Sequence, residues 1–262
     1  MPMLNLTDVE LHFREDGDPN GARVVFANSL GTDLTMWDAL ISHLPPGLRI
    51  IRYDKRGHGQ SSVPNPPYTM GALVRDTERL LDTLEVRHAV FVGLSIGGLI
   101  GQGLAAKRLD MVRGLVLSNT AAKIGTRDMW QKRIEAVQAK GLDGIADDIM
   151  PRWFSRDFLR NGDVAHWRRM LTAQPPEGYI GCAEAIAGTD FYTPTSALRL
   201  PIMGIAGTED GATPVDMVRE TINLVPGARL ELMRRAGHLP CVEAPETYAD
   251  LLTSFMREIG HL

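Results

Sequence analysis

A serine with a glycine two residues before it and two residues after it is the strongest chemical signal in this sequence. Gly93, Ser95 and Gly97 form the pattern G-x-S-x-G, which follows a short apolar run and precedes a stretch of small residues. On a turn from a strand to a helix, this spacing presents the hydroxyl and leaves no room for a Cβ atom at either glycine. The helix N-terminus would face developing negative charge. We therefore predict that Ser95 is an activated nucleophile.

A base must take the proton of this hydroxyl, because serine alone is a weak nucleophile. Three of the seven histidines follow the serine in the chain: His166, His238 and His261. His166 falls in a helical segment of different character, and His261 is the penultimate residue, where order is doubtful. His238 follows a strand-like run at residues 229–233, so its loop would hang over the nucleophile. We predict that His238 is the general base.

The carboxylate that orients the imidazole should follow the preceding strand, which we predict over residues 201–206. Glu209 and Asp210 both follow that strand, and Asp216 falls in the first turn of the next helix. Asp210 is favoured because Gly211 directly after it lets the chain turn beneath the imidazole. Its expected role is to fix the tautomer of the histidine and to stabilise the imidazolium.

Two backbone N–H groups are expected to bind the oxyanion. One belongs to Ile96, which follows the nucleophile directly. The other should come from the loop after the first buried strand, which has the sequence NSLG at residues 28–31. In that loop Leu30 would be the donor, and Gly31 would allow the tight turn.

The elements that position these groups alternate along the chain. Helical patterns cover residues 70–84 and 95–107, and alternating apolar residues over 3–13 predict a strand pair broken near Thr7. Apolar runs predict buried strands at residues 23–27, 48–53, 89–93, 114–118 and 201–206. This alternation indicates an α/β protein with a mostly parallel sheet and right-handed crossovers.

The alternation stops between residues 121 and 190. This segment contains three of the four tryptophans and has helical patterns, for example over residues 128–139 and 144–150. We predict that residues 121–190 form a helical cap inserted into a core of residues 1–120 and 191–262. The alternative is that these helices continue the core as further crossovers.

Composition limits the partners of the chain. Its 262 residues, 44% hydrophobic and 23% charged, are ordinary for a globular protein, and a net charge of −4 provides no basic field for nucleic acid. Cys182 and Cys241 lack metal-binding or disulfide-framework spacing. The N-terminus lacks the pattern of a signal peptide, and no apolar run is long enough to span a bilayer. We expect a cytoplasmic protein with no nucleic-acid or membrane partner.

Several ordered motifs resemble those of the α/β-hydrolase superfamily. They are GLSIGG at residues 93–98, DKRGHGQS at 54–61, GTED at 207–210 and GH at 237–238. More narrowly, 3-oxoadipate enol-lactonases are similar in NSLGT at 28–32, MW at 36–37, RYDKRGHG at 52–59 and GTEDGATP at 207–214. Many superfamily members have His-Gly where this chain has Asn28 and Ser29, and the Asn-Ser pair is expected in enol-lactonase-like sequences.

The resemblance implies an α/β-hydrolase fold with an eight-stranded, mostly parallel sheet, helices on both faces and an inserted helical cap. It implies a Ser-His-Asp triad that opens 3-oxoadipate enol-lactone through an acyl-enzyme in aromatic-compound degradation, without cofactor or metal. Ser29 would then add a supporting hydrogen bond. Trp130 and Arg133, three apart on a predicted helix, would offer an aromatic wall and a guanidinium to the substrate carboxylate. The alternative for this pair is a surface arginine beside a core tryptophan.

Other readings of the chain stay open. The same triad would serve a carboxylesterase or a carbon–carbon bond hydrolase, and a non-catalytic small-ligand receptor is the alternative from a different class. The chain could also form a homo-oligomer. His58 lies in the DKRGHGQS run, which we interpret as a turn whose charges and glycines brace the loop beside the site.

Overall fold

The sheet of this protein has eight strands, and the computed structural model describes residues 2–262. The strand order is β1-β2-β4-β3-β5-β6-β7-β8. The strands are β1 (Met3–Asn5), β2 (Glu10–Gly17), β3 (Ala22–Ala27), β4 (Leu48–Tyr53), β5 (Ala89–Leu94), β6 (Val112–Ser118), β7 (Ile202–Gly207) and β8 (Arg229–Met233). The β1–β2 and β2–β4 pairs are antiparallel, and the other neighbours are parallel. The predicted fold class, an α/β-hydrolase fold, is confirmed.

The central strands have continuous apolar sequences because helices cover both faces of the sheet. Every residue of β5 and of β7 is buried. The predicted strand starting at Gly114 begins two residues earlier, at Val112, which pairs with Ala89. Arg113 does not break the strand, because it lies exposed at the sheet end and its guanidinium donates to the carbonyl oxygens of Ile259 and Gly260.

The helices fill the connections between strands. A 3-10 helix (Leu34–Trp37) leads into α1 (Asp38–Ile41), and the core contains α2 (Met70–Thr83), α3 (Ile96–Lys107), α10 (Val215–Asn223), α11 (Pro240–Glu243) and α12 (Pro245–Glu258). Between β6 and β7 lie α4 (Arg127–Lys140), α5 (Asp143–Trp153), α6 (Arg156–Asn161), α7 (Val164–Thr172), α8 (Pro176–Ala187) and α9 (Tyr192–Ser196). Within residues 2–262, none of the helices has the length and apolar character needed to cross a membrane.

The helical segment between β6 and β7 lies where the strand alternation of the sequence stops. The α5 helix continues to Trp153, so the predicted end at Met150 is wrong. Pro151 lies exposed in the last turn of that helix. Because proline has no N–H, the carbonyl oxygen of Asp147 lacks its helical partner, but Asp147 is exposed and this oxygen can bind water. The division into a core and a cap at residues 121 and 190 stays a prediction.

Candidate active site

Ser95 lies on a sharp turn between β5 and α3. Its φ of 58° and ψ of −118° are outside the helical region, so α3 begins at Ile96 and the predicted helix start at Ser95 is wrong by one residue. A Cβ atom at Gly93 would lie 2.2 Å from the carbonyl oxygen of Gly97. One at Gly97 would lie 2.1 Å from the carbonyl oxygen of Ala27. Both glycines are therefore required by close backbone approach, as the motif predicts.

His238 and Asp210 are joined by a hydrogen bond of 2.8 Å between Nδ1 and Oδ2. The carboxylate also accepts hydrogen bonds of 2.7 Å from Nδ2 of Asn119 and from the hydroxyl of Thr213, and one of 2.9 Å from the Thr213 N–H. Burial acts to raise the pKa of Asp210, but the charge and hydrogen bond of His238, with the bonds from Asn119 and Thr213, hold that pKa below its ordinary value. The side chain that faces the imidazole is therefore an ionised carboxylate at neutral pH.

A cavity brings the nucleophile and the imidazole together. Ser29, Leu30, Ser95, Thr213 and His238 line its floor. Nε2 of His238 lies 3.5 Å from the hydroxyl of Ser29. Within the described chain, the hydrogen bonds of this atom do not include the Ser95 hydroxyl, and such bonds often tighten only when substrate binds. The geometry suits general-base catalysis, and the catalytic roles of these residues stay predictions.

The other acidic and histidine candidates lie elsewhere. Glu209 faces solvent and pairs with Arg156 at 3.2 Å, and Asp216 is in the first turn of α10. His166 is exposed on α7, and Nε2 of His261 contacts the carbonyl oxygen of Arg23 at 2.9 Å. Asn119, which donates to the Asp210 carboxylate, was missed by the sequence reasoning because this contact spans 91 positions.

The predicted oxyanion donors are backbone N–H groups that make no hydrogen bond within the described residues. Among residues 2–262, no hydrogen bond engages the N–H of Leu30 or of Ile96. The neighbouring N–H of Gly31, in contrast, donates to Nε2 of His58 at 3.0 Å. Burial and the nearby Lys55 ammonium lower the pKa of His58 well below its ordinary value, so its neutral ring can accept this bond. The brace interpretation of His58 agrees with this contact, while the oxyanion role of Leu30 and Ile96 stays a prediction.

Helices α4, α5 and α8, which lie between β6 and β7, supply the opposite wall of the cavity, named the cap wall below after the predicted cap. Trp130 and Arg133 of α4 both line it, and the indole N–H of Trp130 donates to the carbonyl oxygen of Ile124 at 2.6 Å. Arg152 of α5 and Tyr179 of α8 line it too, and the sequence reasoning missed both. Nothing local in the sequence distinguishes Arg152 from the many other basic residues of the cap. Its position depends on how α5 packs over the sheet.

The cap wall carries positive charge. The arginine ion pairs of the described residues include neither Arg133 nor Arg152. Burial, together with the like charge of Arg133, lowers the pKa of Arg152, and burial raises that of Tyr179 against the effect of both guanidinium groups. Two arginines and a protonated phenol therefore face the cavity, a group of donors suited to a carboxylate.

Backbone hydrogen bonds attach the end of α5 to the loop that carries the imidazole. The carbonyl oxygen of Trp153 accepts from the N–H of His238 at 2.8 Å. The Glu243 carboxylate accepts from the N–H of Gly237 at 2.7 Å, and from both the N–H and the hydroxyl of Ser155. Burial raises the pKa of Glu243, although these hydrogen bonds oppose the effect. Glu243 thus joins the segment between α5 and α6 to the loop of the predicted base.

Replacement Glu243→Ala should destabilise the protein by about 1–3 kcal/mol, because it leaves the donors of Ser155 and Gly237 without an acceptor. Urea unfolding of the two proteins measures this difference. Asp250→Ala, an exposed carboxylate on α12, is the matched control and should change stability by less than about 0.5 kcal/mol. Equal stability of Glu243→Ala and the parent protein would show that the hydrogen bonds of Glu243 to Ser155 and Gly237 contribute nothing to stability.

Comparison with known proteins places this fold and site in a class. Residues 22–245 match the model of the family described as "alpha/beta hydrolase fold". The chain belongs to the α/β-hydrolase family and is a hydrolase.

Within that family, its similarity is to particular enzymes. It is 34% identical to 3-oxoadipate enol-lactonase 2 of Acinetobacter baylyi over 98% of this chain and 97% of that protein. The crystal structure of the enol-lactonase from Burkholderia xenovorans LB400 superposes with a TM-score of 0.94 at 35% identity, covering 98% of this chain and 100% of that one. A thermophilic esterase from Thermogutta terrifontis, solved with malate bound, has a TM-score of 0.92 at 28% identity, over 99% of both chains.

Proposed function

We propose that this protein hydrolyses 3-oxoadipate enol-lactone to 3-oxoadipate, a step in the degradation of aromatic compounds. The observation that carries the proposal is one cavity lined by Ser95 and His238 on its floor and by Arg133 and Arg152 on its wall. A small ester that carries a carboxylate matches both halves of that cavity. The enol-lactonases among the relatives support the same substrate.

Acylation begins when the Ser95 hydroxyl attacks the ring carbonyl and His238 takes its proton. The N–H groups of Leu30 and Ile96 bind the oxyanion of the tetrahedral intermediate. When the intermediate collapses, the ring C–O bond breaks and His238 returns the proton to the departing enol oxygen. The enol ketonises, and the opened chain stays attached to Ser95 as an ester.

Deacylation repeats these steps with water as the nucleophile. His238 removes a proton from water, the hydroxide oxygen adds to the acyl carbon, and the same two N–H groups bind the oxyanion. Collapse returns the proton to Ser95 and releases 3-oxoadipate. Asp210 stays ionised throughout and stabilises the imidazolium that forms twice in the cycle.

The substrate carboxylate is assigned to the cap wall. A guanidinium binds a carboxylate through two parallel N–H donors, and the partial desolvation of the cavity strengthens that interaction. Arg133, Arg152 and Tyr179 supply the donors, and Trp130 supplies an apolar face for the ring. The related thermophilic esterase was solved with malate, a small carboxylate, bound. We accordingly propose that the cap of residues 121–190 selects the substrate.

Each of the variants Arg152→Met and Arg133→Met should raise KM for the enol-lactone by about 10- to 100-fold, because a charge-assisted hydrogen bond contributes about 1.5–3 kcal/mol. The KM for p-nitrophenyl acetate, which has no carboxylate, should change less than about twofold. Steady-state kinetics on both substrates separate the two effects. The exposed Arg156→Met is the control. Equal losses on both substrates would remove the carboxylate assignment.

A panel of kcat/KM values tests the function itself. It compares the enol-lactone, a saturated lactone, p-nitrophenyl acetate and a vinylogous diketone. The proposal requires the enol-lactone to lead by orders of magnitude. A preference for simple neutral esters would instead favour a carboxylesterase, the activity named for the thermophilic relative.

A further inference from the structure

A lysine lies buried directly behind the loop that holds the predicted oxyanion donor. This oxyanion loop comprises residues 28–32. The Lys55 side chain, 3% exposed, donates from Nζ to the carbonyl oxygen of Ser29 at 2.7 Å and to that of Thr32 at 3.3 Å. Ion pairs of the described residues do not include Lys55. The proposed mechanism leaves this ammonium without a role.

We propose that Lys55 is a positioning residue for catalysis: its ammonium binds the Ser29 carbonyl and thereby aims and polarises the Leu30 N–H of the same peptide group. The Ser29–Leu30 peptide is trans, so its C=O and N–H point in opposite directions. Fixing the carbonyl on the ammonium fixes the N–H on the other side. A cation on the oxygen draws electron density from the nitrogen and makes the N–H a stronger donor.

Hydrogen bonds from Gly31 and Thr32 hold the oxyanion loop on either side of the Ser29–Leu30 peptide and leave the Leu30 N–H free to donate. The Ser29 carbonyl oxygen also accepts from the hydroxyl of Thr32 at 3.0 Å and from its N–H at 3.4 Å. Gly31 donates its N–H to His58, as described above. Because Thr32 already satisfies the Ser29 carbonyl, that oxygen does not require a buried ammonium for hydrogen bonding. What the ammonium adds is charge.

The surroundings of Lys55 leave that charge only partly compensated. Its neighbours with titratable groups are Asp54 and His58 in its own segment, Asp33 before the 3-10 helix, and Cys182 on α8. Asp54 is engaged with other partners, notably a main-chain N–H at 2.7 Å, and Asp33 caps the 3-10 helix. Burial lowers the pKa of Lys55 to about 8, although the acidic neighbours act to raise it. The ammonium is therefore present at neutral pH and is lost as the pH rises through that value.

The closing experiment measures hydrolysis of p-nitrophenyl acetate by the parent protein, Lys55→Met and Lys55→Arg. Lys55→Met should lose about 10- to 100-fold in kcat with KM within about twofold, somewhat less than removal of an oxyanion donor itself costs. Affinity for a boronic acid, which forms a tetrahedral adduct on the serine, should fall by the same factor. The exposed Lys140→Met is the control. Rates are divided by the concentration of sites that react with a fluorophosphonate, so partial misfolding does not count as loss.

The pH profile supplies a readout that a structural role would not move. In the parent protein, kcat should fall as the pH rises through about 8. Lys55→Arg, whose side chain stays charged, should recover activity and lose this alkaline limb. An unchanged kcat per active site in Lys55→Met would overturn the inference, as would an alkaline limb that Lys55→Arg keeps.

This inference rests on the proposed function only in its use of Ser95 and the oxyanion site. Because p-nitrophenyl acetate is a neutral ester, it tests the role of Lys55 separately from the proposed substrate. If the enol-lactone is not a substrate but the Lys55 effects appear with p-nitrophenyl acetate, the inference stands and the proposed substrate fails. If the enol-lactone is the substrate and Lys55→Met hydrolyses both compounds at the parent rate, the inference fails and the proposed substrate stands.

Discussion

Ser95→Ala is expected to lower kcat by about 10⁴- to 10⁶-fold for the enol-lactone and for p-nitrophenyl acetate alike. The variant has no hydroxyl to form the acyl-enzyme, while the oxyanion donors and the arginines of the cap wall remain. KM for the lactone should therefore change little. The backbone at this position has a positive φ, which alanine tolerates about as well as serine, so the turn should keep its shape.

The control for this experiment is a serine away from the cavity. Ser196→Ala, on the exposed surface of α9, should have parental kinetics. A fluorophosphonate should label the parent protein and the control but not Ser95→Ala, and thermal unfolding should be alike for all three. Lactone hydrolysis at the parental rate by Ser95→Ala would exclude Ser95 as the nucleophile and with it the acyl-enzyme mechanism. Absence of labelling in the parent protein would support a non-catalytic receptor.

The fold could be predicted from the sequence because its strongest signals are local. The buried runs of β5 and β7 mark parallel strands, since side chains on both faces are covered. The glycines beside Ser95 mark a turn that no larger residue can form. Chain order leaves three histidines after the serine, and the strand-like run that precedes His238 selects that one. Each of these inferences needs only neighbouring residues or the order of elements.

The rest of the site could not be predicted, because it depends on contacts between distant segments. Arg152 and Tyr179 reach the cavity only through the packing of α5 and α8, and the helical pattern of each segment is compatible with many packings. Glu243 contacts Ser155 across 88 positions. The Lys55 ammonium is found by its burial and by the carbonyl oxygens it binds. In the sequence alone, Lys55 is one basic residue in a polar turn, and nothing there indicates that it is buried.

Asp210→Asn is the second replacement with a large expected effect, a loss of about 10⁴-fold in kcat by analogy with the serine protease triad. An asparagine has the shape of the aspartate, but its amide can donate to Nδ1 of His238. The proton then resides on Nε2, and the imidazole can no longer accept the proton of Ser95. The network around Asp210 reinforces this, because its Oδ1 accepts from the main-chain N–H groups of Ala212 at 2.7 Å and Thr213 at 2.9 Å. The amide oxygen of asparagine must keep those bonds, so its NH₂ group takes the place of Oδ2, which faces the histidine.

The neighbouring Glu209 provides a matched control for Asp210, since both carboxylates follow β7. Glu209→Gln should retain kcat within about twofold, because its side chain is on the surface and pairs with Arg156. Single-turnover kinetics with p-nitrophenyl acetate measure acylation directly for both variants. Loss of acylation in Glu209→Gln with a parental rate in Asp210→Asn would show that Glu209, and not Asp210, is the acid of the triad. The observed 2.8 Å contact of Asp210 with His238 leads us to expect the reverse.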